Sequence, residues 1–265
     1  MHRHRINAYV LLLGLQAGAG PLHAGELVIN FDTGSPPTMY AGPHGEARGI
    51  YPAILRRAFE RMGEKVAIRA RPFNRLMAEF LDGHAAVGSL VHSPSRDLSG
   101  DFSSPYFTEN VAVYYDAGRW SGFRYDGPAS LTGYRVGVIR GWSYGAAFDQ
   151  LRHEGSVEVE EVESDAQNFS KLACGRLDFV LAPELAGKKL LDQPRYAGIV
   201  AAPNYLVSVG INLAINKQAG QRELLRRFDS AIAEMRQRRE IESIVTAELQ
   251  RAPLRNERPS CVKPQ

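Results

Sequence analysis

No stretch of this chain approaches the roughly 20 consecutive apolar residues that a bilayer-spanning helix needs, so a helical membrane span is not expected. Cysteine is nearly absent. Cys174 and Cys261 are the only two in 265 residues, too few for a disulfide-built scaffold and enough for one bridge. The histidines beyond the N-terminal segment, His44, His84, His92 and His153, stand singly. No Cys/His spacing matches a zinc site, so no metal and no cofactor is expected. No Ser/His/Asp or Cys/His constellation supports nucleophilic catalysis. Internal repeats of 20 to 50 residues are absent too, which excludes solenoids and propellers.

What is present is an ordinary globular composition, 44% hydrophobic and 23% charged. The first 24 residues read as a secretory signal peptide: a basic start to Arg5, an apolar run from Ala8 to Leu15, and Leu22-His23-Ala24 at the cleavage point. That run is too short for an anchor. Cleavage removes Arg3 and Arg5 and no acid, so the formal charge of +3 falls to +1. A near-neutral surface argues against nucleic acid as a partner. The expected product is a free periplasmic protein with no membrane anchor. In that oxidising compartment a disulfide between Cys174 and Cys261 is possible, the alternative being that Cys174, beside Leu172 and Ala173, is a small buried hydrophobe.

Beyond the signal, short apolar strands alternate with amphipathic helices, an α/β pattern. Leu27–Phe31 reads as a strand, and Pro52 marks the start of a helix that carries Ile54, Leu55, Ala58, Phe59 and Met62 on one face and stops at Gly63. A strand over Val66–Ala70, a helix over Asn74–Leu81 and strands over Ala85–Leu90 and Val111–Tyr115 follow. From Tyr134 the order restarts, with strands at Arg135–Ile139, Val157–Val162 and Phe179–Ala182 and helices between. Two α/β units in succession point to two lobes. The C-terminal region shows two helical stripes, Leu224, Leu225, Phe228, Ile232 and Met235, then Ile241, Ile244, Val245 and Leu249.

Several collinear motifs resemble the bacterial extracellular solute-binding proteins of family 3. They are Ile29-Asn30-Phe31-Asp32 through Pro37, Gly49-Ile50-Tyr51, Arg61-Met62-Gly63, Pro72-Phe73-Asn74-Arg75, Ser93-Pro94-Ser95-Arg96 and Phe102 to Tyr106. In the second half they are Arg135 to Val138 with Arg140-Gly141, Leu172 to Asp178, and Ala233 to Arg236. The resemblance implies a two-lobed type II periplasmic-binding fold, each lobe a mixed sheet flanked by helices, joined by two crossing hinge segments near Tyr115-Asp116 and Val207-Ser208. It divides the chain into lobe 1 (25–116 and 208–265) and lobe 2 (117–207). It also implies a monomer that captures a small carboxylate-bearing solute, an amino acid or a relative, and delivers it to an ABC permease. Two other functions fit the same scaffold: a cyclohexadienyl-dehydratase-like enzyme, and a module presenting ligand to a sensor or to a periplasmic dehydrogenase.

By that resemblance Arg96 falls on the arginine that clamps the ligand carboxylate, a task for which a planar guanidinium is suited. Gly141, Trp142 and Ser143 lie between a strand and a helix, where free N–H groups, the positive helix end and the Ser143 hydroxyl can grip an anion. Plain capping by Ser143 is compatible with that role. Asp32 aligns with a cleft acid or caps its own Asp-Thr-Gly turn. Phe73 forms a cleft wall or packs in the core. Ser89 and Leu90, just ahead of Arg96, are placed to present backbone groups to a ligand, and Arg75 is either a second cleft cation or an exposed helix arginine.

Two departures bear on the ligand. Val91 stands where the family often has Ser or Thr, and Pro183 stands where amino-acid binders place the acid that pairs with the α-ammonium. Glu184, one step on, either replaces that acid or acts as a general acid in the enzyme reading; otherwise the ligand lacks an α-ammonium.

Overall fold

The computed structural model describes residues 26–253. The signal-peptide reading of residues 1–24 and the position of Cys261 lie outside the described residues. Cys174 itself is disulfide-bonded.

The first half begins with β1 (Leu27–Phe31), then a small meander of β2 (Gly34–Ser35), β3 (Met39–Ala41) and β4 (Ala47–Arg48) that the sequence pattern does not announce. Helix α1 (Ile50–Met62) starts two residues earlier than expected from Pro52, which occupies the third helical position. Pro is tolerated there because the first turn has no intrahelical acceptor for its missing N–H. At the other end Gly63 adopts φ 70°. Its N–H donates to Glu60 O and that of Glu64 to Phe59 O, closing the helix in a left-handed cap that favours glycine. β5 (Val66–Ala70), α2 (Phe73–Leu81), β6 (Ala86–Val91) and β7 (Gly100–Phe102) complete this half.

A ten-residue strand, β8 (Phe107–Asp116), leads into the second half: β9 (Arg135–Ile139), α3 (Ala146–His153), β10 (Glu158–Val162), α4 (Asp165–Ala173), β11 (Phe179–Pro183) and α5 (Glu184–Leu191). Ser164 caps α4, its hydroxyl accepting from Gln167 N. The chain returns along β12 (Ile199–Asn216), 18 residues long, to α6 (Arg222–Gln237) and α7 (Glu240–Arg251).

The hydrogen-bonded order is β10-β9-β11-β8-β12-β6-β1-β5, with β7 also on β12. β1 pairs in parallel with β5 and β6, and β9 with β10 and β11. The two long strands join these parallel groups. β8 pairs antiparallel with β11 from Val111 to Tyr115 and with β12 from Phe107 onward, so it is one unbroken strand from Phe107 to Asp116. Register slips in β12 between Ala201 and Val207, which is where a strand bends as it passes from one group to the other.

Buried side chains separate in the same way. Ile29, Phe31, Phe59, Phe228 and Met235 belong to one core, built from the first half and the C-terminal helices. Val136, Phe148 and Phe179, and on the opposite sheet face Tyr114, Phe169 and Leu172, belong to cores built from the second half. The result is a two-lobed mixed α/β fold whose lobes share β8 and β12.

Candidate functional site

The parallel strands of both halves end toward the gap between the lobes, the position where α/β sheets form ligand crevices. A cleft there encloses about 590 Å³ of space between atoms, part of it open to solvent. Asp32, Phe73, Ser89, Leu90, Arg96, Trp142 and Ser143 line it, so the fold gathers seven of the ten expected side chains. Gly141 contacts Phe73 at its edge, whereas Arg75 and Glu184 are outside its wall.

Asp32 follows directly on β1 and is buried. Thr33 N donates to Oδ1 at 2.7 Å, and Trp142 Nε1 reaches across from the other lobe to Oδ2 at 2.8 Å. Burial pushes the Asp32 carboxyl up to about 6, the two hydrogen bonds acting against a larger rise. Trp142 packs against the cores of both lobes. A β-carbon on Gly141, whose φ is 74°, would lie 2.5 Å from Phe73 Cδ1, so the Phe73 ring seals directly onto lobe 2 backbone. Ser35 Oγ donates to the buried Asp165 Oδ2 as a further bond between the halves. These contacts describe lobes closed on one another.

Arg96 opens a short turn after β6, half-buried. One guanidinium nitrogen, Nη1, donates to Val91 O at 2.7 Å. Among the described residues it has no ion-pair partner. Burial holds its pKa below the usual arginine value, opposed by the negative charge of Asp149. The remaining guanidinium donors face the cleft that Arg96 lines, the geometry that charge-assisted hydrogen bonds to an anion would require.

Ser143 differs from expectation. Its Oγ donates to Asp149 Oδ2, while Tyr144 N donates to Oδ1 at 3.1 Å. The hydroxyl proton is therefore committed, and α3 begins three residues further on at Ala146 with Gly145 as its cap. Any anion grip from this loop is limited to what the Gly141–Ser143 backbone offers. Ser89 and Leu90 are on β6 itself; Ser89 Oγ donates to Met39 Sδ at 3.1 Å, and Leu90 packs with Leu76, Phe80 and Val87.

Glu184 is not among the side chains that line the cleft. Asn110 Nδ2 donates to its Oε2 at 3.1 Å and Lys188 Nζ to its Oε1 at 2.5 Å. Although its partial burial works the other way, these partners hold its carboxyl below the usual range, the opposite of a general acid's requirement. Arg75 is exposed and paired with Glu79 at 3.0 Å, the ordinary helix i,i+4 arrangement.

Sequence reasoning missed Tyr51 and Glu109, which share the cleft wall. Glu109 is on β8, buried, and accepts a hydrogen bond from the Tyr51 hydroxyl. Desolvation raises its pKa well above the ordinary carboxylate value. The signal existed: Phe107, Glu109, Val111 and Val113 alternate on one strand face. A charged residue at that position reads as the solvent face or a loop until its neighbours are known.

This closed, two-lobed sheet with a cleft at the strand ends is a type II periplasmic-binding fold. The chain belongs to the bacterial extracellular solute-binding proteins, family 3, whose model matches residues 27–248. It is 23% identical over 214 residues to the L-cystine-binding protein TcyJ of Escherichia coli K12, covering 80% of this chain and 77% of that one. Among solved structures it resembles a histidine kinase sensor domain with similarity to periplasmic binding proteins (TM-score 0.72, 21% identity, 84% of this chain and 96% of that). It also resembles an ancestral arginine-binding protein bound to arginine (TM-score 0.71, 21% identity, 84% and 97%).

Proposed function

We propose that this is a periplasmic solute-binding protein that closes lobe 1 (25–116 and 208–265) and lobe 2 (117–207) around a small carboxylate-bearing solute, an amino acid or a related compound. It delivers that solute to an ABC permease. The observation that carries the reading is Arg96, half-buried in the cleft and without a carboxylate among the described residues. Holding a desolvated cation without a counter-ion costs free energy, a cost that an anionic ligand offsets. Closure by rotation about two shared strands excludes water from that contact, where charge-assisted hydrogen bonds gain most. Family membership supports the same reading.

The test is a thermal-shift screen of the chain lacking residues 1–24, freed of carried-over ligand, against amino acids, polyamines and small organic acids. Ligand at about 100 times its dissociation constant adds about 2.7 kcal/mol, which is about 5 to 10 °C for a chain of this size. One chemical class is expected to give that shift and to lose it in Arg96→Ala. A carboxylate-independent shift, or a shift retained in the variant, rejects the reading. The reading is of a binder without turnover, since Glu184, the acid expected for elimination chemistry, is ion-paired outside the cleft wall. Product from prephenate or arogenate would overturn that part.

A further inference from the structure

We propose that closure of the lobes takes up a proton at Asp165, on a seam between the lobes outside the ligand cleft, so that the closed form is favoured in acid and loosens toward neutral pH. This rests on the two-lobe closure proposed above and adds a condition under which the protein holds or releases its solute.

Asp165 is the first residue of α4, in lobe 2, and is 1% exposed. Part of its cover comes from lobe 1. The Ser35 hydroxyl, on β2, donates to Oδ2 at 2.5 Å, and the Thr38 hydroxyl holds Ser35 by donating to its carbonyl oxygen at 2.8 Å. Beside this bond the two backbones touch: a β-carbon on Gly34 would lie 2.0 Å from Glu163 O and 3.0 Å from Ser164 Cα. The second carboxyl oxygen, Oδ1, is buried without a hydrogen-bond partner among the described residues. An asparagine would accept the same bond from Ser35 with no charge to desolvate. A carboxylate closed into this seam without a counter-ion gives up free energy that protonation restores.

The surrounding groups supply no opposite charge. Asp32 after β1 and Glu109 on β8 are themselves buried acids, and Glu163 after β10 is an acid paired with Arg140. Tyr114 on β8 and Tyr144 before α3 are phenols held above their ordinary value by burial. Lys189 on α5 borders the same small pocket as Asp165, but its Nζ donates to Leu249 O at 3.4 Å. Burial therefore raises the Asp165 carboxyl from 3.8 to about 7, the Ser35 hydrogen bond working against the rise and the charge of Asp32 adding to it. Opening returns the carboxyl to water, where it ionises near its ordinary value. The closed form is then favoured most below about pH 4, and its ratio to the open form falls by up to about tenfold per pH unit until about pH 7. Asp32, whose bond with Trp142 also crosses between the lobes, acts in the same sense up to about pH 6. Affinity for a solute trapped by closure follows the closed population.

The experiment is small-angle scattering from the ligand-free chain lacking residues 1–24, between pH 4 and 8. Gly141→Ala, in which the added methyl group opposes closure onto Phe73, is measured at the acid end as a reference for open lobes. A compact chain of this size has a radius of gyration of about 18 Å. The unaltered protein is expected to stay near that value in acid and to expand as pH rises through 6 to 7. Asp165→Asn and Asp165→Ser, both uncharged at every pH, are expected to lose the part of the expansion between pH 6 and 7, whereas Asp32→Asn keeps it. A radius independent of pH, with Gly141→Ala expanded, overturns the inference without any charge variant having to fold and leaves lobe closure standing. An expansion unchanged in either Asp165 variant overturns it as well, by assigning the proton to another group. A radius that changes neither with pH nor in Gly141→Ala removes two-lobe closure itself, and this inference with it.

Discussion

The contact between Phe73 and Gly141 gives the closed arrangement a steric test that needs no ligand. Gly141 sits at φ 74°, and an added β-carbon would come within 2.5 Å of Phe73 Cδ1 and 2.7 Å of Cε1. Gly141→Ala thus imposes two separate penalties: about 1–2 kcal/mol for an L-residue in the left-handed region, and about 1–3 kcal/mol for overpacking against the ring. Only the second depends on Phe73. Denaturant unfolding of wild type, Gly141→Ala, Phe73→Ala and the double variant separates them. The double variant is expected to recover at least about 1 kcal/mol relative to the sum of the single changes, because truncating the ring makes room for the methyl group. With the ligand found by screening, Gly141→Ala should also weaken binding, since the closed population falls by the same free energy, and the double variant should regain part of it. Additivity within about 0.5 kcal/mol would refute the contact, and with it the claim that this loop closes onto Phe73.

Stability should fall as pH rises from about 4 to 7, because Asp32 is raised from 3.8 to about 6 and Asp165 from 3.8 to about 7 by burial. The folded state then holds protons that the unfolded chain has released, so their contribution is complete below about pH 4 and lost through pH 6 to 7. For Asp32 the swing is on the order of 3 kcal/mol; melting curves across that range in wild type and in Asp32→Asn, which should be flatter, check the sign. Arg96→Ala is expected to leave the unliganded melting temperature unchanged or higher, since it removes a desolvated charge without an ion-pair partner, and a large fall would show a structural role instead. Phe228→Ala, removing a buried ring packed tilted against Phe59 and edge-to-face against Tyr106, should cost about 3–5 kcal/mol in urea unfolding. Peptide mapping without reductant is expected to join the fragments that carry Cys174 and Cys261.

Much of the element order is legible before folding, because it rests on local periodicity. The α1 stripe with its Gly63 stop, the strands at Leu27–Phe31, Val66–Ala70 and Arg135–Ile139, and the two C-terminal helices all repeat apolar residues at one period for long enough to read. β12 is not legible. Its first nine residues, Ile199–Val207, are mostly exposed or interrupted by Pro203, and its last six are buried, so no single alternation runs through it. Helix α5 begins after Pro183 with Glu184 and a glycine within eight residues, and its stability comes from packing against lobe 2 instead of from propensity. Seven of the ten proposed contacts reach the cleft, while Glu184 and Arg75 are drawn to Lys188 and Glu79, partners one helical turn away that any sequence reader sees but cannot weigh against a ligand.

By itself, then, the sequence determined the α/β class, the two-unit order, and the residue types able to meet a carboxylate, because each of these depends on neighbours within a few residues. The tertiary structure decided what those residues are free to do. Whether the Ser143 proton is available depends on Asp149, whether Asp32 can take a ligand depends on Trp142 in the other lobe, and whether Glu109 is a surface charge or a cleft carboxyl depends on β8 being covered by α1 and β12. Burial and hydrogen-bond partnership are set by residues distant in the chain, and these quantities turn a polar side chain into a binding group.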